Sequence, residues 1–296
     1  MRIDELMGSY VAIITPMRES GEVDFTALGK LIEFHVENGT HGIVAVGTTG
    51  ESATLSVEEH IEVVKFTVKQ ASGRLQVIAG TGANSTREAI HLTKLAEDAG
   101  VDACLLVVPY YNKPTQEGLY LHFKAVAEAV TVPQILYNVP GRTVLSMENS
   151  TVERLADIDN IIGIKDATGD IDAGADLVKK VANKMAVLSG DDGSALDLIK
   201  VGGRGNISVT ANILPKMMSE MCVAGVNGDI ETADKLNKRL SILNEQLFIE
   251  SNPIPVKWAL NKMGLIELGI RLPLTTLDEK YQSSVLSALR TLDIVA

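Results

Sequence analysis

A closed (β/α)8 barrel followed by an all-helical extension is the fold this sequence predicts, and three observations predict it. Short apolar runs rich in β-branched residues recur along the chain, each followed by an amphipathic stretch of helical length. Eight such units can be counted before Val226, which suits a closed barrel better than a doubly wound sheet with its fewer strands and its switch point. Beyond Val226 the rhythm stops and only helical patterns remain. Near-continuous apolar strands separated by helices imply parallel pairing, burial on both faces and right-handed crossovers.

The first strand runs over Tyr10 to Thr15, and a helix from about Phe25 to Glu37 ends at Asn38-Gly39. Ile43 to Val46 is the second, before a helix that opens at Ser56-Val57-Glu58-Glu59, a capping box with serine as N-cap and glutamate three residues on. Val77 to Ala79 is followed by Ser85-Thr86-Arg87-Glu88, the same signal. Leu105 to Val108 leads to a helix near Gln116 to Val130, and Gln134 to Asn138 to one over Met147 to Ala156. Ile161 to Lys165, Val187 to Ser189 and Asn206 to Val209 complete the eight. In the tail, Asp229 to Glu250, Pro255 to Lys262 and Leu277 to Leu292 read as helices, with Asn252-Pro253-Ile254-Pro255 as a rigid turn between them. These patterns divide the chain into a barrel over 1–226 and a helical domain over 227–296.

Composition narrows the function. Hydrophobic residues at 46% and charged residues at 22% describe a folded globular protein. A net charge of −11, with acidic and basic residues interspersed, leaves no basic face for nucleic acid or an anionic membrane. No apolar run approaches the roughly 18 residues of a membrane span, and the acidic Met1 to Glu5 start lacks a signal-peptide core, which predicts a cytoplasmic protein. Cys104 and Cys222 fall in apolar surroundings and read as reduced and buried. The five histidines lack metal-ligand spacing, and neither a dinucleotide fingerprint nor a P-loop occurs, so no metal and no cofactor is expected. Asp191-Asp192 reads as capping for a helix that starts near Ser194.

In a barrel of this kind the active site gathers at the C-terminal ends of the strands. The sixth strand ends on Lys165, in Ile161-Ile162-Gly163-Ile164-Lys165-Asp166. A lysine there is either a surface charge punctuating a strand or a nucleophile, because an amine held away from water can attack a carbonyl. Tyr137 closes the fifth strand at the same level, where its hydroxyl could relay protons or simply fill the core. Gly47-Thr48-Thr49-Gly50-Glu51 closes the second strand with two hydroxyls and open backbone N–H groups, a concavity suited to a carboxylate or phosphate.

Together these strand ends resemble the pyruvate-dependent Schiff-base aldolases and lyases. The likeness runs nearly end to end through Gly47 to Ser52, Val107 to Lys113, Tyr137 to Thr143, Ile164 to Gly169, Ser189 to Asp192 and Asn252 to Trp258. Thr48-Thr49, Tyr110-Tyr111 and Arg142 resemble the branch that joins pyruvate to L-aspartate 4-semialdehyde, giving 4-hydroxy-tetrahydrodipicolinate on the route to diaminopimelate and lysine. The resemblance implies an imine between Lys165 and pyruvate with no cofactor, proton transfer by Tyr137, and a hydroxyl relay through Thr48 and Tyr111. It implies that Thr49 holds the pyruvate carboxylate, Arg142 holds that of the second substrate, and Gly190 and Ile207 supply carbonyls near the lysine. Tyr111 would come from a neighbouring subunit, so the active unit is at least a dimer and a homotetramer built as a dimer of dimers is expected.

The resemblance further implies inhibition by L-lysine at the tight-dimer interface. Asn84, Glu88 and Tyr110 would meet its α-amino and carboxylate groups, and Ser52, Ala53 and His60 its ε-ammonium. Val57 departs from the pattern of members with a histidine there, so binding is expected to be retained but weaker. Three rivals stay open: an aldolase of the same family that cleaves a keto-deoxy sugar acid, a lysine-binding barrel without catalysis, and a metal-dependent aldolase, which full activity in chelator would exclude.

Overall fold

The computed structural model describes residues 1–296. Eight parallel strands close into a barrel in which each neighbours the next and β1 meets β8. β1 spans Gly8–Ala12, with α1 over Phe25–Glu37, and β2 spans Gly42–Ala45, with α2 over Val57–Ala71. β3 (Gln76–Gly80) and α3 (Thr86–Asp98) follow, then β4 (Ala103–Val107) and α4 (Gln116–Ala129). β5 (Gln134–Asn138) is followed by α5 (Pro140–Thr143) and α6 (Asn149–Leu155), and β6 (Ile161–Asp166) by α7 (Ile171–Val181). β7 (Ala186–Ser189), α8 (Ala195–Lys200), β8 (Gly205–Ser208) and α9 (Pro215–Val226) finish the ring. The chain ends with α10 (Ile230–Gln246), α11 (Ile254–Lys262) and α12 (Glu279–Thr291).

The pleat of each strand sorts its side chains between two cores. Inward residues such as Tyr10, Ile135, Tyr137, Leu188 and Ile207 fill the barrel with a cluster of 14 buried residues. Outward residues such as Leu136 and Ile164 join a cluster of 64 between sheet and helices, so the larger share of hydrophobic stabilisation lies outside the barrel. That outer cluster runs unbroken into the tail through Leu240, Leu243, Trp258, Leu260 and Leu289. No helix is long and apolar enough to cross a membrane.

The first strand starts two residues ahead of its expected Tyr10 and stops at Ala12 rather than Thr15, and the local signals leave three further departures from expectation. Ser56 and Glu59 form the capping box of α2, Ser56 Oγ accepting from Glu59 N at 3.2 Å and Glu59 Oε2 from Ser56 N at 2.9 Å. Ser85 precedes α3 without capping it. Its partner Glu88 instead lines a cavity shared with Tyr110, which removes one half of the box. Asp191 accepts from Ser194 N at 3.0 Å in the turn before α8, but neither aspartate caps the helix, whose N-cap is Ser194. The Asp192 carboxylate is buried and accepts from Asn206 Nδ2 at 2.7 Å, Val209 N at 3.0 Å and Thr210 N at 2.8 Å, tying the end of β8 to the β7 loop. The third departure is α5, a single turn that the sequence pattern did not announce: Pro140 starts it with its fixed φ, and left-handed Val144 ends it.

Candidate active site

The parallel register of β5 and β6 sets Tyr137 directly beside Lys165, both pointing inward at the C-terminal mouth. Lys165 is 6% exposed, and its Nζ lies 4.3 Å from the centroid of the Tyr137 ring. None of the ion pairs in the molecule involves Lys165. Gly190, at the end of β7, is what lets the lysine lie where it does. A Cβ at that position would fall 2.6 Å from Lys165 Cε and 2.8 Å from Cγ. The neighbouring Asp166 points the other way and accepts from the N–H and hydroxyl of Thr168, both at 3.1 Å; burial pushes its carboxyl above the usual carboxylate range.

Across the mouth stands the turn that follows β2. Gly80 allows its close approach, since a Cβ there would sit 2.6 Å from the Val46 carbonyl and 3.0 Å from the Gly47 backbone. Within the turn Glu51 N donates to Thr48 O at 3.1 Å and Ser52 N to Gly47 O at 3.3 Å. The N–H groups of Thr48 and Thr49 donate to no backbone carbonyl, and Thr49 is buried. Unspent donors in a concave turn favour an anionic ligand group. Lys165, Tyr137, Gly190, Thr48, Thr49 and Arg142 together line one cavity of about 170 Å³.

Residues from the tail complete this wall. Asn252 Nδ2 donates to Thr49 Oγ1 at 2.9 Å, and the Asn252 carbonyl accepts from Arg142 Nη2 at 3.1 Å. Glu51, left-handed at φ 57°, forms an ion pair with Lys257 in which neither side chain exceeds 2% exposure. Arg271 N donates to the other Glu51 oxygen at 3.3 Å, while the Arg271 guanidinium grips Glu59 and donates to Thr54 O at 2.7 Å. Burial lowers the affinity of Lys257 for its proton, an effect that Glu51 opposes; the Arg271 guanidinium holds Glu59 at about 2. Phe248, half exposed, forms an apolar part of the rim.

The remaining expected residues divide. A second cavity of about 370 Å³ gathers Ser52, Ala53, His60, Glu88 and Tyr110 and shares Thr48, Arg142 and Asn252 with the first. Burial lowers the proton affinity of His60 and raises the Tyr110 phenol above its ordinary value, with Glu88 adding to the latter. Asn84 stands outside that lining, where its carbonyl accepts from Asn112 Nδ2 at 2.8 Å. Tyr111 is 91% exposed and projects from the chain at φ 75°, so a single chain does not bring it to Lys165. Ile207 is buried within the barrel, and Val209 lines the cavity from the same strand end. Nowhere do three His, Cys, Asp or Glu side chains gather as a metal site.

The same architecture recurs across known proteins. Residues 5–292 match the model of the Dihydrodipicolinate synthetase family. A relative from Stutzerimonas stutzeri (strain A1501), named 4-hydroxy-tetrahydrodipicolinate synthase, is 60% identical over 98% of this chain and 100% of its own length. The chain belongs to the dihydrodipicolinate synthetase family. Its reaction is the condensation of pyruvate with L-aspartate 4-semialdehyde to 4-hydroxy-tetrahydrodipicolinate, a lyase-class step of lysine biosynthesis. A solved member from Acinetobacter baumannii, described as a chloride-inhibited dihydrodipicolinate synthase complexed with pyruvate, is similar at 59% identity with a TM-score of 0.97, covering 98% of this chain and all of that one. Another, from Cyanidioschyzon merolae and described with lysine bound, is 37% identical with a TM-score of 0.95, covering 98% and 99%.

Proposed function

We propose that Lys165 is the nucleophile that carries pyruvate through this condensation, and that the residues around it divide the remaining work. One observation carries the reading: a buried amine beside the Tyr137 ring shares a small cavity with unspent N–H donors at Thr48 and Thr49. The amine adds to the ketone carbon of pyruvate and water leaves, forming an imine. Loss of a methyl proton gives the enamine, whose carbon bonds to the aldehyde carbon of the second substrate. The substrate amine then attacks the imine carbon, closing the ring and expelling Lys165. Every bond made or broken is served by protein groups, so no cofactor is needed.

Tyr137 moves protons during addition and ring closure, with Thr48 and Tyr111 of a neighbouring copy as relay. Thr49 and the turn's N–H groups hold the pyruvate carboxylate. Arg142 receives the carboxylate of L-aspartate 4-semialdehyde through a fork suited to bidentate contact, and Gly190 and Ile207 offer carbonyls. The exposure of Tyr111 supports an assembly of at least a dimer, with a dimer of dimers as the full form. The 227–296 segment acts as a buttress, since Asn252, Lys257 and Arg271 all grip the turn after β2. The enzyme works in the cytoplasm.

L-Lysine inhibits through the second cavity, where Ser52, Ala53, His60, Glu88 and Tyr110 converge and Asn84 flanks the lining. The Cyanidioschyzon merolae structure with lysine bound supports this. A lysine titration showing no loss of initial rate at millimolar concentrations would remove that site from the reading. For the catalytic roles, borohydride reduction with pyruvate should leave a three-carbon adduct on the Lys165 peptide. Lys165→Arg should show none, because a guanidinium stays protonated. An adduct elsewhere, or none on the native enzyme, refutes the assignment.

A further inference from the structure

Asn252 touches both groups to which the proposed function gives a carboxylate. Its side-chain Nδ2 donates to Thr49 Oγ1 at 2.9 Å, its main-chain carbonyl accepts from Arg142 Nη2 at 3.1 Å, and it lines both cavities. It is 5% exposed, and its Oδ1 is buried without a partner. A residue present only to fill space would leave no such orphan, since an apolar side chain of similar volume avoids the desolvation cost.

A threonine hydroxyl has one proton and two lone pairs. Donation from Asn252 occupies a lone pair of Thr49 and discourages the hydroxyl from turning its proton that way. No other protein group bonds to Thr49 Oγ1, so the proton is free to point into the cavity. We infer that Asn252 is a positioning residue that fixes the Thr49 hydroxyl as a donor toward the carboxylate of pyruvate, while its main-chain carbonyl holds Arg142 at the edge of the same site. The inference rests on the placement of that carboxylate at the Thr48-Thr49 turn, and it adds the polarity of the hydroxyl and the residue that sets it. The distance in sequence between Asn252 and Thr49 is 203 residues.

The test is a double-mutant cycle on the full chain, read as pyruvate KM and kcat and as borohydride trapping against pyruvate concentration. Asn252→Ala should raise pyruvate KM about tenfold, the worth of a hydrogen bond aimed at a charged group, with a smaller change in kcat. In a Thr49→Val background the same substitution should change KM less than about twofold, because the hydroxyl it orients is gone. Asn252→Asp, which keeps the shape and creates no cavity, should raise KM further, since a carboxylate claims the Thr49 proton and repels the ligand's charge.

Equal effects of Asn252→Ala with and without the Thr49 hydroxyl overturn the inference, as does an Asn252→Asp enzyme with unchanged pyruvate KM. Should Asn252→Ala fail to fold, the Asn252→Asp comparison in the two backgrounds decides alone. Trapping on native Lys165 separates the two levels. If it succeeds while the cycle shows no coupling, only the inference falls, and if it fails, the proposed function falls with it.

Discussion

Lys257→Met removes one charge of the buried pair with Glu51 and keeps most of the side-chain volume, so it isolates the electrostatics of the turn that holds Thr48 and Thr49. Glu51 and Lys257 are 0% and 2% exposed in their side chains. Two unit charges about 4 Å apart attract by about 4 kcal/mol at an effective dielectric of about 20, and a pair in contact by more. Against this stands the cost of taking both ions out of water, so the pair as a whole adds little net stability. Breaking it is another matter. The Glu51 carboxylate would keep only the Arg271 N–H at 3.3 Å, and an uncompensated buried charge costs about 3–5 kcal/mol. A stability of about 5–15 kcal/mol would thereby lose a large fraction.

Urea unfolding should show this loss for Lys257→Met and recovery to within about 1 kcal/mol of native for Glu51→Gln with Lys257→Met, in which both charges are gone and the left-handed backbone of residue 51 is undisturbed by a change of shape. Pyruvate KM should rise in the single variant and fall back in the double. A Lys257→Met protein as stable as native, or a double variant no better than the single, refutes the claim that paired charge holds this turn.

Tyr137→Phe should lower kcat by about 10²–10⁴ with little change in pyruvate KM if the hydroxyl moves protons in the transition state, as steady-state kinetics will show. Gly190→Ala should displace the Lys165 side chain, because the new Cβ falls 2.6 Å from Cε, and cost about 10² in kcat at a nearly native melting temperature. Burial holds His35 near 3 and His122 near 4, below the ordinary 6.5. Below about pH 6.5 the unfolded chain therefore binds protons that the folded chain refuses, so stability is full above that pH and falls toward pH 4. His35 and His122 together should contribute a fall in urea-measured stability of up to about 2.7 kcal/mol per pH unit, and His122→Gln should remove about half of that contribution.

Strand count, barrel closure and the pairing of Tyr137 with Lys165 were legible in the sequence because each follows from local pattern. In a barrel whose consecutive strands are neighbours, residues closing two successive runs share a level without further information. The Thr48-Thr49 turn was legible for the same reason. What holds the turn was not, since Asn252, Lys257 and Arg271 reach it across 203, 206 and 220 residues, and no periodicity spans that distance. One signal was available: Lys257 interrupts the apolar stretch Ile254–Leu260, and Glu51 sits among small turn residues, two charges that needed partners. Ser85 and Asp192 misled because a capping residue type was read without knowing what else lay within its reach.

The grip of residues 252–271 on the turn after β2 also sets an order of events during synthesis. The turn leaves the ribosome some 200 residues ahead of the side chains that hold it. A nascent chain can therefore pair its strands early, yet it carries Glu51 without Lys257 and Thr49 without Asn252 until α11 has emerged. On the proposed placement of the pyruvate carboxylate at this turn, a chain stalled before α11 would have its strands and Lys165 in place but no finished seat for its first substrate.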